Sequence, residues 1–308
     1  MKFLDDLIFG VLSYVNDAEI KTYDDIAISM RASEIILDER DFNFSYKGSK
    51  KMNFVKSEKL VREFLGGLNS AYLDYYDMRL LDGTFEYGIN DFFGNPYSTY
   101  DYENSKRIIY IPISNTIEDG FSIVHELFHD MNMVIDTDEP GIGWYFFTEA
   151  LSFLGELLYS DFLKEKGILD ENVKNRSLYF MRHQALVMNF KLNIINEYLK
   201  YGFLDRSMVL DVLKLYKYED IIDSIYDEDF RIEVEETYVF SCLVAVYMYD
   251  RIKNNKKNIN ELFDLNEIVG SLDLFQVLDY LDLEHNNREL TEDSYELLRK
   301  KYRKFLKR

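Results

Sequence analysis

The chain has 308 residues, 47% of them hydrophobic, enough apolar material for a sizeable core. Its 56 acids against 36 bases leave a net charge of −20, which lacks the basic footprint that nucleic acid or an anionic membrane demands, so neither is expected as a partner. The lone cysteine, Cys242, excludes an intramolecular disulfide, as in a reducing compartment, and its apolar surroundings predict a buried, inert thiol.

Along the chain, residues 2–16, 23–37 and 57–80 carry apolar positions at helical spacing. The opening Met-Lys-Phe-Leu-Asp-Asp-Leu places two acids where a signal peptide would have its apolar core, so a cytoplasmic location is expected. Short strands are predicted near 84–93 and 107–113. In the second, Pro112 removes a ladder donor and predicts an edge or a strand end. An edge beside a catalytic helix is where an extended peptide can add itself as a further strand. Asn115 followed by Glu118 reads as a helix N-cap with its capping-box partner.

That helix contains His125-Glu126-Leu127-Phe128-His129, the HExxH frame. Residues i and i+4 lie above one another, so both imidazoles can reach one metal ion. Glu126 is turned about a quarter-turn from His125, beside the place where a metal would activate water. HExxH also arises by chance on ordinary helices. Here Phe121-Ser-Ile-Val precedes it, and the helix is apolar around the ligand-type residues, so they are expected to be buried. Buried His and Glu need partners, and zinc is the simplest common one.

Catalytic zinc usually takes three protein ligands and leaves a fourth position open. No histidine follows His129 until His183, so the third ligand must come from elsewhere. The strongest source is the apolar segment 144–159, which reads as a second helix carrying Glu149 and Glu156, two turns apart on one face. From residue 144 onward nearly everything reads as helix, with breaks near 170–176, 202–206, 253–260 and 286–292. The longest apolar run, Tyr238 to Tyr249, is too short to span a bilayer. The basic run from Arg299 to Arg308 is read as complementing a helix dipole. His183 and His285 are isolated and read as packed or exposed residues rather than ligands.

HExxH followed about twenty residues later by Glu-x-x-Ser, with another Glu seven after the first, resembles the oligoendopeptidase F and thimet-type oligopeptidases, gluzincin metalloproteases. The resemblance is carried by His125, Glu126, His129, Glu149, Ser152 and Glu156, and it covers residues 60 to 160 well. Upstream, the run from Tyr110 to Val124 is similar to the family's strand, Asn turn and helix start. The resemblance implies that Glu149 is the third zinc ligand, that Glu156 braces a zinc-bound histidine from outside, and that Ser152 belongs to the same outer layer. Asp130, adjacent to His129, is a weaker candidate for that bracing role.

Family members also stabilise the reaction's oxyanion from a C-terminal helix, usually with a His and tyrosines. Here the matching segment is 237–250, where Tyr247 and Tyr249 fit the tyrosine pattern. Tyr238 stands where the His would be, and Ala245 at another tyrosine position. About eighty residues precede the strands, fewer than the helical roof common in the family, so a more open site is expected.

Together these readings predict one catalytic domain over 1–308, mainly α, zincin-type, with a small β-sheet beside the HExxH helix. Its expected parts are a helical 1–80, strands and zinc helices over 81–160, and a helical 161–308, arranged as one body or two lobes around a cleft. The implied activity is zinc-dependent hydrolysis of peptide bonds in short unstructured peptides, with one Zn²⁺ per chain. Glu126 is the expected base, and Tyr247, Tyr249 or Tyr238 the expected oxyanion donor. Two alternatives stand beside it: a protease dedicated to one protein target, and a zinc-containing peptide-binding protein without turnover.

Overall fold

The structure, a computed structural model, describes residues 2–17, 23–38, 50–89, 95–133, 142–168, 171–216, 233–254, 259–263, 274–286 and 290–307. Their packing falls into two compact units, each built from separate stretches of chain. One comprises 1–43, 179–247 and 275–308, the other 44–178 and 248–274.

The first unit is helical among the described residues. It contains α1 (Lys2–Asp17), α2 (Tyr23–Leu37), most of α7 (Glu171–Tyr201), α8 (Arg206–Leu213) and the body of α9 (Glu233–Lys253), with α11 (Leu274–Tyr280) and α12 (Glu292–Leu306). Val11, Ile35, Phe190, Leu192, Phe240, Tyr295 and Tyr302 are almost wholly buried and form its core. Ion pairs tie its edges: Arg206 binds Asp5 with Nε at 2.7 Å, and Arg31 grips Glu292 through both carboxylate oxygens while covering the Tyr295 ring. Arg303 and Lys304 close α12, as the dipole reading anticipates.

The second unit holds α3 (Phe54–Leu68), α4 (Ser70–Leu81), β1 (Phe85–Ile89), β2 (Tyr97–Asp101), β3 (Lys106–Ile113), α5 (Glu118–Met131) and α6 (Ile142–Glu165). The start of α7, the end of α9 and α10 (Ile259–Phe263) complete it. The helix expected over 57–80 is two helices. Asn69, fully extended at φ −168°, ends α3 by donating its N–H to Leu65 and starts α4 by accepting from Ala71.

The sheet order is β1-β3-β2, with β1 parallel and β2 antiparallel to β3. The edge expected for Pro112 is therefore corrected: β3 is the central strand. The strand-end alternative holds, because β2 pairs only as far as Tyr97 with Tyr110. Pro112 thus lacks its N–H on a side where the β2 ladder has already stopped. The strand β2 itself was not foreseen, and residues 90–94 of the predicted first strand lie outside the described residues. α5 packs on β3 and β2, which places the sheet beside the HExxH helix as expected.

Two other expectations are corrected. The charged stretch 171–176 is not a break but the first turns of α7. Asn115 is not the N-cap of α5. It sits in the left-handed region at φ 52°, and its carbonyl accepts from Met52. The turn before α5 is held instead by Asp119, whose Oδ1 accepts from both the N–H (2.8 Å) and the hydroxyl (2.6 Å) of Ser114. No described helix is long and apolar enough to cross a membrane. Cys242 is buried, as predicted.

Candidate metal centre

Every side chain of the centre belongs to the second unit. α5 buries Phe121, Val124, Leu127 and Phe128, which turns His125 and His129 toward α6. α6 is buried almost all round from Phe147 to Tyr159, and Glu149 and Glu156 are its inward carboxylates. Close approach of the two helices depends on glycine. A Cβ on Gly155 would stand 2.8 Å from the Phe128 ring, and one on Gly120 would stand 2.5 Å from the Tyr159 hydroxyl.

The approach brings three ligand atoms to one point. His125 Nε2 and His129 Nε2 are 3.1 Å apart. Glu149 lies 3.3 Å from His129 Nε2 through one oxygen and 3.7 Å from His125 Nε2 through the other. Ligand atoms bound to tetrahedral zinc at ordinary bond lengths are about 3.3 Å apart, near the separation of the two imidazoles and the contact each makes with a Glu149 oxygen. Glu149 Oε2 is buried with no hydrogen-bond partner among the described residues, an orphan that a cation would satisfy. Among the described residues this is the one group of three His, Cys, Asp or Glu side chains placed to hold a metal. The donor set fits zinc.

Glu156 binds the back of the first histidine, its Oε1 lying 2.8 Å from His125 Nδ1. With the proton on Nδ1, Nε2 presents its lone pair to Glu149 and His129. The Phe153 ring stands edge-on to the same imidazole, with centroids 5.4 Å apart. Beyond Glu156, Arg176 donates from Nη1 to Glu156 Oε2 at 2.6 Å and from Nε to Glu118. Glu118, expected as a capping partner, is thus an ion-pair partner instead.

Burial lowers the basicity of His125, but the Glu156 hydrogen bond and the surrounding carboxylates outweigh it and push the metal-free pKa up to about 9. Burial also works against the charge of Glu149 and Glu156. In Glu149 the neighbouring histidines prevail, and in Glu156 Arg176 and His125 prevail, so both stay below the usual carboxylate range. Glu126 differs: desolvation dominates and lifts its pKa. It is 5% exposed.

Ser152 lies one turn beyond Glu149, fully buried, and its hydroxyl has no hydrogen-bond partner among the described residues. Asp130 does not brace a histidine. Its buried carboxylate accepts from Tyr75 (2.7 Å) and Arg79 (2.8 Å) and pairs with Arg107, which ties α5 to α4 and β3. The Tyr249 hydroxyl donates to Asp161 at 2.7 Å. Asp161 is twelve residues past Glu149 on α6, about 18 Å along the axis, so this hydroxyl is turned to a different part of the helix. Tyr247 and Tyr238 belong to the first unit. The former donates to the Leu281 carbonyl at 3.0 Å, and the latter packs edge-on against Phe180. There too, His183 stacks near Tyr179, and His285 pairs with Asp279 at 3.0 Å.

No family model and no curated protein matches the sequence. The fold does match solved structures. A candidate oligoendopeptidase F from Bacillus anthracis aligns over 100% of this chain and 56% of its own length, with a TM-score of 0.61 at 13% identity. PZ peptidase A, solved with an inhibitor, aligns over 94% of this chain and 60% of its own length, with a TM-score of 0.64 at 12% identity. A candidate peptidase from Chlamydophila abortus aligns over 99% and 55%, at TM-score 0.54 and 19% identity. The chain has the helical fold of these peptidases. It spans a little more than half the length of each.

Arg176 is the residue that sequence reading missed. It carries no motif, and its role comes from where α7 begins.

Proposed function

We propose that the chain is a zinc-dependent metallopeptidase that hydrolyses peptide bonds. The convergence of His125 Nε2, His129 Nε2 and Glu149, whose Oε2 has no hydrogen-bond partner among the described residues, carries this reading. The likeness to oligoendopeptidase F-type folds supports the peptide as substrate.

His125, His129 and Glu149 would hold the ion. Zinc, when bound, supplies Lewis acidity and makes water a nucleophile near neutral pH. The chain's own groups then divide the work. Glu156 keeps the proton of His125 on Nδ1, so the ring always presents Nε2. Glu126, its basicity raised by burial, takes the proton from the attacking water and returns it to the departing amine. Apolar α5 and α6 side chains exclude bulk water and strengthen each charge interaction. The outer edge of β2, beside α5, pairs with no other described strand, and an extended peptide can lie along it, read mainly through its main chain. Short unstructured peptides suit such an edge.

The experiment is metal analysis and peptide hydrolysis on one preparation, wild type beside Glu149→Ala. One zinc per chain, lost in the variant together with cleavage, is the expected result. A variant that keeps full zinc and activity would remove Glu149 from the ligand set.

A further inference from the structure

We propose that Arg176 is a positioning residue for the metal centre: its guanidinium clamps Glu156 to Glu118 and so fixes the imidazole of His125 that Glu156 holds. The proposal rests on the metallopeptidase reading above.

The clamp joins three helices. Glu118 is the first residue of α5, Glu156 lies in the second half of α6, and Arg176 is in the second turn of α7. Separate nitrogens serve the two carboxylates, Nη1 for Glu156 and Nε for Glu118. The guanidinium is rigid and planar, so gripping both sets the distance between them. Its face also lies over the Phe121 ring, 4.9 Å from the centroid. Phe121 is one turn before His125 on the same helix, so Arg176 holds the HExxH helix at two points and the bracing carboxylate at a third.

Glu156 has both oxygens committed, one to His125 and one to Arg176, and its side chain is 7% exposed. It cannot turn to water. Without Arg176 the second oxygen would be a buried, unpaired acceptor. The carboxyl could then rotate or pick up a proton, and the Nδ1 contact that orients His125 would lose its fixed geometry. A lysine at 176 would keep the charge but not the fork.

A staple that merely joins helices would show itself as lost stability in the metal-free protein and nothing more. The test therefore reads the centre directly in Arg176→Gln, Arg176→Lys and Glu118→Gln. Zinc affinity is measured by competition with a chromophoric chelator, the ligand field by absorption of the Co²⁺-substituted protein, and metal-free stability by urea unfolding. The expected result is a zinc Kd raised about 10- to 100-fold in Arg176→Gln with a shifted cobalt spectrum. Arg176→Lys should recover part of the loss, and Glu118→Gln should change both readouts in the same direction by less. Wild-type affinity and spectrum in every variant that folds, whatever its stability, would overturn the clamp. Glu118→Gln leaves the Arg176–Glu156 pair intact, so it decides the matter if Arg176→Gln does not fold. Failure of the metallopeptidase reading looks different: the wild type itself would then bind no zinc.

Discussion

Glu156 and His125 meet at 2.8 Å across the α5–α6 contact, two helical turns beyond Glu149. This single hydrogen bond chooses the imidazole tautomer, and it also gives the metal-free centre a marked dependence on pH. With His125 lifted to about 9 by Glu156 and its neighbours against the opposing effect of burial, a proton occupies the site across the neutral range. Zinc must displace that proton. Apparent zinc affinity should rise about tenfold per pH unit below 9 and level off above it. Chelator competition between pH 6.5 and 10 measures the slope, and a flat profile would mean that His125 holds no proton there. The metal-free fold shows the linked effect. Its folded-state pKa exceeds the unfolded value of 6.5, so the stabilisation is fully present below pH 6.5 and disappears as pH passes 9. Urea midpoints of metal-free protein should fall across that window.

Glu126→Gln separates metal binding from turnover. Glu126 lies on the HExxH helix but outside the group of converging ligand atoms, so the amide should leave zinc content unchanged. Removing a general base costs typically 10²- to 10⁴-fold, and kcat should fall by that order with KM little altered. Undiminished hydrolysis in fully metallated variant would show that another group takes the proton.

The converging side chains were legible because two independent periodicities coincide. His125 and His129 are i, i+4 on one helix, and Glu149 and Glu156 are i, i+7 on another that is otherwise apolar. Burial then requires a partner for each. What sequence could not show is what long side chains reach from elsewhere. Arg176 stands in a polar stretch that reads as a break, and only the actual start of α7 turns it toward Glu156. Asp130 beside His129 suggested a bracing acceptor, but successive helix positions diverge, and it faces Arg79 and Arg107 instead. β2 escaped notice because Tyr-Ser-Thr-Tyr-Asp is a short, mostly polar edge with no buried face to give it alternation. Pro112 misled for a related reason: a central strand tolerates proline once its neighbour's ladder has ended.

Asp130→Asn should be among the most destabilising polar substitutions in the second unit. The wild-type carboxylate is fully buried and meets Arg79, Arg107 and the Tyr75 hydroxyl. An amide takes the buried counter-charge from two partly buried guanidinium groups and leaves Arg79 only the exposed Asp82, and breaking such a buried network costs about 3–5 kcal/mol. Urea unfolding of metal-free protein measures it. A loss under about 1 kcal/mol would show that water replaces the carboxylate without difficulty.

Gly155 sets how closely the two helices that carry the candidate ligands approach, which makes it a test of the centre from outside the polar groups. Its virtual Cβ meets the Phe128 ring at 2.8 Å, and Phe128 sits beside His129 within HExxH. The ring is itself fully buried and has no free end to swing away. Gly155→Val must therefore push α5 from α6. Overpacking of this kind costs about 1–3 kcal/mol, and the separation of Glu149 from the two imidazoles should widen with it. Zinc affinity should consequently drop more than the stability loss alone explains, and Phe128→Leu in the same chain should restore part of both. If Gly155→Val lost stability but kept wild-type zinc affinity, the helix spacing at Gly155 would not govern the geometry of the ligands one and two turns away.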